Sequence, residues 1–146
     1  MMTRKVRPTH AVVAIIRDGD KFLCIKRAAD IIAGGQICFP GGGIDAGETE
    51  QEAVVREIRE EVGLQIRPIK KVFESVTPWN VHVSWYTVEF LAGQIGQIEI
   101  DPAEVESYSW LTLEEFEQSP DILISNVQFL DAWKAGKIDL SDSRSD

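Results

Sequence analysis

Basic residues are scarce in this chain: 15 Lys and Arg stand against 24 Asp and Glu, giving a formal net charge of −9. Wrapping a nucleic-acid polymer or lying on an anionic membrane needs clustered cations, so neither partner is expected. An anionic small molecule would need a metal ion to dock here. Long apolar runs are missing as well. Ala11 to Ile16 is too short for a secretory signal core and runs into Arg17-Asp18-Gly19-Asp20, and no span approaches membrane length. Cysteine is limited to Cys24 and Cys38, with neither disulfide nor zinc spacing. Buried free thiols in a reducing cytoplasm are the expectation. With no internal repeat, 146 residues and 44% hydrophobic composition fit one compact domain over 1–146.

What is present organises itself around residues 40 to 64. Thr49 to Val62 has no Pro or Gly, is rich in Glu, Gln, Ala and Arg, and is followed by Gly63, a frequent helix terminator. This predicts a helix. Val54, Ile58, Val62 and Val55 share one side of its wheel, and Glu57, Glu60 and Glu61 stand at i, i+3 and i+4 on another. Like charges so spaced cost about 0.2–0.5 kcal/mol per pair on an exposed helix. A hard divalent cation such as Mg²⁺ or Mn²⁺, which takes oxygen ligands and shares them with substrate phosphates, would reverse that sign. The bland alternative is a solvated acidic face balanced by Arg56 and Arg59. The preceding loop, with Gly41, Gly42, Gly43 and Gly47, weighs against it, because glycines let backbone approach a metal or a phosphate closely.

Around this centre the chain reads as strands first. His10 to Ile16 and Lys21 to Lys26 are β-rich runs flanking Asp18-Gly19, a hairpin dipeptide, and are expected to pair with each other. A loop from Arg27 leads to a short strand at Gln36 to Phe39. Ile66 to Val76 and His82 to Leu91 form a second expected pair around the turn Thr77-Pro78-Trp79-Asn80. Gly93 and Gly96 mark a loop, and Glu106 to Leu111 a closing strand. Thr112 with Glu115 is a capping-box signature for a helix stopped by Pro120. A last helix is expected from Asn126 to Ala135, ended by Gly136, followed by a mobile tail at Ser141 to Asp146.

Gly42, five residues, Glu48, seven residues, and then Arg56-Glu57-Ile58-Arg59-Glu60-Glu61-Val62-Gly63-Leu64 match GX5EX7REUXEEXGU, where U is apolar. The chain therefore resembles the Nudix hydrolases. The resemblance implies an α+β fold, an α/β/α sandwich with a mixed sheet and a loop-helix-loop. It also implies Mg²⁺- or Mn²⁺-dependent hydrolysis of a diphosphate linkage in a nucleoside diphosphate joined to another group. Glu57, Glu60 and Glu61 are then the expected metal ligands, with the Gly42 carbonyl as a further one. Arg56 would pair with Glu48 or orient Glu60. The general base would be a glutamate of the box or of the loop before Trp110, where Glu104 has the family spacing and Glu106 is the fallback.

For the substrate, Trp79, His82, Trp85 and Tyr86 are candidates to stack on a flat group, each weighed against ordinary core packing, and Arg27 is a candidate contact. His10, before the first strand, reads as a surface or satisfied core residue. Gly35 to Gly42 is similar to the segment ahead of the box in coenzyme A pyrophosphatases, without the arginine and Leu-Thr pattern that precedes it. Pro78 lies one residue short of the proline of ADP-ribose pyrophosphatases, and Ile37 replaces a Trp common in nucleotide-cleaving members. The leading expectation is a nucleoside triphosphate or related pyrophosphohydrolase, cytoplasmic, monomeric or homodimeric, acting on an anionic small molecule. The alternatives are an ADP-ribose, nucleotide-sugar or coenzyme A type pyrophosphatase, a non-catalytic Nudix-like binding module, and an acidic interaction protein. Binding modules usually lose a box glutamate, and none is lost here; an interaction protein leaves the glycine loop unexplained.

Overall fold

The computed structural model describes residues 8–91 and 97–141. The loop expected at Gly93 and Gly96, and the tail beyond Ser141, lie outside the described residues. The first strand, β1 (His10–Ile15), is apolar on both sides and is buried on both sides, as a continuous apolar run requires. After it come β2 (Arg17–Asp18), β3 (Lys21–Arg27), β4 (Ile37–Cys38) and β5 (Gly41–Gly43). The helix α1 (Glu50–Val62) follows, then the long strands β6 (Ile66–Val76) and β7 (His82–Phe90). β8 (Val105–Leu111), α2 (Leu113–Glu117) and α3 (Ile124–Lys134) complete the order. The strands form two four-stranded sheets. One runs β5-β1-β7-β6, with β1 parallel to β7 and antiparallel to β5. The other is antiparallel and built on β3, which pairs with β2, β4 and β8.

The pairing expected between the first two runs is corrected by this topology. Only the Arg17–Asp18 stub pairs with β3, around the two residues Gly19 and Asp20, and Leu23 N–H reaches the Ile16 carbonyl at 2.8 Å. β1 itself crosses into the other sheet. The physical reason is burial: between β5 and β7, β1 lies under α1 on one face and against α2 and α3 on the other, so both of its apolar faces are covered.

Alternation along β1 divides the core in two. Val12, Ala14 and Ile16 pack with Ala53, Val54, Ile58 and Val62 of α1. Val13 and Ile15 face the opposite way, toward Phe116 of α2 and Phe129 and Leu130 of α3. The expected α/β/α sandwich is therefore present. Full burial of a side chain such as Ile58 contributes about 2 kcal/mol.

Helix α1 begins at a complete capping box. Glu52 N–H donates to Thr49 Oγ1 at 3.1 Å, and Thr49 N–H donates to Glu52 Oε1 at 2.9 Å. Such a cap contributes about 1 kcal/mol. It ends at Gly63 with φ of 72°, a left-handed conformation that favours glycine. The second capping box, Thr112 with Glu115, opens α2 as expected. α3 starts two residues earlier than expected, at Ile124, and no side chain caps it. No helix among the described residues is long and apolar enough to cross a membrane.

Candidate functional site

The carboxyl half of α1 lies against β5. Gly41 N–H donates to Glu61 Oε1 at 2.9 Å, and Glu61 is only 6% exposed. A Cβ placed on Gly42 would stand 2.4 Å from the Glu57 carboxylate, so the absence of a side chain there makes room for that group. The expected division into one packing face and one acidic face does not hold. Glu61 is buried with Ile58 and Val62, Glu57 is half-buried, and Glu60 alone of the three is exposed. The stripe of α1 turned to the sheet is wide enough to carry carboxylates among its apolar residues.

Arg56 ties these parts together. Its Nε and Nη2 donate to the two oxygens of Glu48 at 2.7 and 3.0 Å, and Nη2 also donates to the Gly43 carbonyl at 2.9 Å. Its Nη1 donates to Glu57 Oε2 and Glu60 Oε1, both at 3.0 Å. Both pairings expected for Arg56 are seen, with Glu57 added, because the guanidinium folds back along the helix despite its Cβ pointing elsewhere. The same Nη1 stands between Glu57 and Glu60. In this arrangement no three acidic, His or Cys side chains among the described residues are grouped closely enough to enclose an ion.

The third wall is the loop before β8. Glu99 N–H and Asp101 N–H donate to the Val62 and Glu61 carbonyls at 2.8 and 3.0 Å, satisfying backbone acceptors at the end of α1. Asp101 Oδ1 accepts from Ala103 N–H, and the Asp101 carbonyl accepts from Glu104 and Val105. This turn sets Glu104 opposite the helix. Glu57, Glu60, Glu61, Asp101, Ala103 and Glu104 line one cleft of about 340 Å³. A larger hollow of about 660 Å³, near Asp45, Gly47, Glu48, Arg59 and Pro68, holds none of the buried carboxylates. The smaller cleft is the chemically distinctive one.

Burial raises the Glu57 pKa, with Glu60 and Glu104 adding to the rise and Arg56 opposing it. Burial also pushes Glu61 up to about 8, reinforced by Glu57 and Glu104 against the Gly41 amide and the Arg27 charge. These are carboxylate oxygens whose burial and mutual repulsion outweigh the nearby positive charge, a donor set that suits a hard cation.

The sequence profile of the NUDIX domain matches residues 7–133. The chain belongs to the NUDIX family. It is 30% identical over 129 residues to an Escherichia coli 8-oxo-dGTP diphosphatase, covering 86% of this chain and all of that protein. It is 43% identical over 74 residues to an ADP-ribose pyrophosphatase of Methanocaldococcus jannaschii, covering 48% of this chain and 42% of the relative. The fold matches a crystal structure of a MutT protein from Methanosarcina mazei Go1, with a TM-score of 0.74, 21% identity, and coverage of 91% and 98% of the two chains.

Within this Nudix fold, Glu57, Glu60, Glu61, Gly42 and Glu104 converge on one region. Glu106 does not. It sits on the exposed part of β8 within 3.3 Å of Lys26 Nζ and is not among the residues lining the cleft. Arg27 ends β3 within electrostatic reach of Glu61, with its Nε donating to the Ile32 carbonyl at 2.9 Å. The aromatic candidates are not gathered at the cleft. Trp85 has no exposed surface, stacks on Phe129 at 4.8 Å and donates to Ser75 Oγ at 3.1 Å. It is a core residue, because odd-numbered positions of β7 in this region face α3. Tyr86 is buried on the α1 side and donates to Glu50 at 2.6 Å. Trp79 is 55% exposed in the β6–β7 turn, and His82 is exposed beside His10. None of the four lines the cleft. Sequence reading missed Asp101, although Asp101-Pro102 is a recognisable turn signal.

Proposed function

We propose that this Nudix hydrolase is a divalent-metal-dependent pyrophosphohydrolase that cleaves the diphosphate linkage of a nucleoside triphosphate. The observation that carries this reading is the buried Glu61 beside the half-buried Glu57, set against Gly41 and Gly42 with Glu104 across the cleft. Full coverage of the 8-oxo-dGTP diphosphatase favours a triphosphate substrate.

Glu57, Glu60 and Glu61, with the Gly42 carbonyl, would hold Mg²⁺ or Mn²⁺. Such an ion supplies neutralisation of phosphate charge and a water acidified for attack at phosphorus. Glu104, set across the cleft by the Asp101 turn, would accept a proton at its carboxylate. Arg56 bridges Glu57 and Glu60 through one nitrogen, and draws the Glu48 and Gly43 ends of the loop onto the helix. Arg27 offers a cation to the substrate phosphates from the side of Glu61. The buried thiols of Cys24 and Cys38 support a reducing, cytoplasmic setting.

The match to the ADP-ribose pyrophosphatase across the region of the box favours a second reading, a nucleoside diphosphate joined to a sugar. A panel of nucleoside triphosphates, ADP-ribose and coenzyme A, assayed with Mg²⁺ and with Mn²⁺ and followed by product analysis, decides between them. Nucleoside monophosphate plus pyrophosphate from a triphosphate is the expected outcome. No product from any substrate with either metal would make the chain a binding module.

A further inference from the structure

Glu50 opens α1 at the end remote from the cleft, and its carboxylate gathers donors from three strands. Tyr86 Oη donates to Oε1 at 2.6 Å, and Lys71 Nζ lies 3.0 Å from the same oxygen. Ser84 Oγ donates to Oε2 at 2.9 Å, and His10 Nε2 stands 3.1 Å from it. These groups belong to β1, β7 and β6, three neighbouring strands of the sheet under α1. Burial alone would raise the Glu50 pKa, but the bonds from Tyr86, Lys71 and Ser84 outweigh it and bring the group down to about 2. The carboxylate is therefore ionised throughout the working range of the protein.

Glu50, Glu57 and Glu61 are seven and four residues apart, so they share one line on the helix within about 40°. A rise of 1.5 Å per residue puts Glu50 roughly 16 Å from Glu61 along the axis. Apolar packing by Ala53, Val54, Ile58 and Val62 holds α1 on the sheet without direction. Hydrogen bonds have direction: at the carboxyl half of α1 the Arg56 clamp reaches Glu48 and the edge strand β5, and Glu61 accepts from Gly41, while Glu50 ties the amino end to β1, β7 and β6. A rotation of α1 by about 20° would carry a side-chain tip about 5 Å from the axis by roughly 2 Å. Misplacement of even 1 Å costs on the order of 10²-fold in a catalytic geometry.

We propose that Glu50 is a positioning residue: its anchorage to His10, Lys71, Ser84 and Tyr86 fixes the rotation of α1, and so aims Glu57 and Glu61 at Gly41 and Gly42. This rests on the metal-binding reading of those two glutamates.

The test measures Mn²⁺ affinity by electron paramagnetic resonance without substrate, beside kcat, KM and melting temperature. The proteins are wild type, Glu50→Ala, Glu50→Gln, Tyr86→Phe and Glu61→Gln. Glu50→Ala is expected to weaken Mn²⁺ binding and lower kcat by about tenfold each, the low end for a partner that orients a ligand, with KM little changed. Glu50→Gln and Tyr86→Phe should move the same way by less. If Glu50→Ala does not fold, Tyr86→Phe, which keeps the buried ring and removes one donor, carries the test. A lower melting temperature with wild-type Mn²⁺ affinity and wild-type kcat would overturn the proposal and leave Glu50 a fastening alone. Wild type and Glu61→Gln binding Mn²⁺ equally would overturn the metal reading itself, a distinct result that removes the proposal with it.

Discussion

The two ends of α1 carry the same side chain in opposite states. Glu50 and Glu61 lie on one stripe of one helix, both turned toward the sheet, yet Glu50 is brought down to about 2 and Glu61 is pushed up to about 8. Burial acts on both in the same direction, so burial alone does not distinguish them. Partners do. Glu50 faces two hydroxyls, a lysine and a histidine from three strands, whereas Glu61 has the Gly41 amide and a neighbouring Glu57 and Glu104 that repel it. A carboxylate satisfied by its own protein is a fastening. One buried among other carboxylates is held ready for a cation the protein does not itself supply.

The comparison breaks most sharply at Glu61. Glu61→Gln keeps side-chain size and removes the charge that Glu57 and Glu104 oppose. Turnover should fall on the order of 10²-fold or more, while the metal-free protein melts at the wild-type temperature or higher. Wild type should gain thermal stability from Mg²⁺ or Mn²⁺, since a ligand of the folded state stabilises it by mass action, and the variant should gain much less. Loss of metal-free stability with normal turnover would make Glu61 a structural contact and not a ligand.

Across the cleft, Glu104→Gln should lower kcat by roughly 10- to 10²-fold, the modest end for loss of a general base. Glu106→Gln should stay within about twofold, because its charge is paired with Lys26 on the exposed part of β8. Equal, mild effects in both would put the base within residues 57 to 61. A smaller effect is expected from Gly42→Ala. The added methyl meets the far end of the flexible Glu57 side chain, so the fold survives while that carboxylate is pushed aside. Metal affinity should drop by about tenfold with an unchanged melting temperature.

The functional end of α1 was largely legible from sequence, and the fastening end was not. Residues 42 to 64 are continuous, so helix, cap and carboxylate spacing all follow from local periodicity, and β6 and β7 follow from their long β-branched runs and the turn at Pro78. Glu104 was singled out by the spacing to Trp110 that the family resemblance implies, and it lines the cleft. The partners of Glu50 lie up to 40 residues away along the chain, and only the β1–β7 register brings His10, Ser84 and Tyr86 onto one face. The same nonlocality hid the partner of β1: apolar residues on both sides announce a central strand without naming its neighbours. Trp85 failed for a related reason. A period of two tells which residues share a face, and not which face meets the substrate.

The last prediction leaves turnover aside and sets the two ends against each other by pH. Glu61 has a folded pKa of about 8 against an ordinary 4.5, so in the metal-free protein its contribution is fully present below about 4.5 and is lost as pH rises through 8. Glu57 shifts in the same direction and adds to that limb. Glu50 is the reverse: lowered from 4.5 to about 2, it stabilises fully above 4.5, and its contribution is lost as pH falls toward 2. By the free energy of such shifts, the Glu50 limb is on the order of 3 kcal/mol. Urea titrations in chelator from pH 3 to 9 should therefore show stability declining on both sides of a maximum near 4.5 to 5. Glu50→Gln should flatten the acid side only, and Glu61→Gln should lessen the alkaline side only. Added Mn²⁺ should flatten the alkaline side in wild type, because the ion requires the ionised carboxylates. If one substitution flattens both limbs, the two ends of the helix are a single electrostatic unit, and the distinction between fastening and ligand fails.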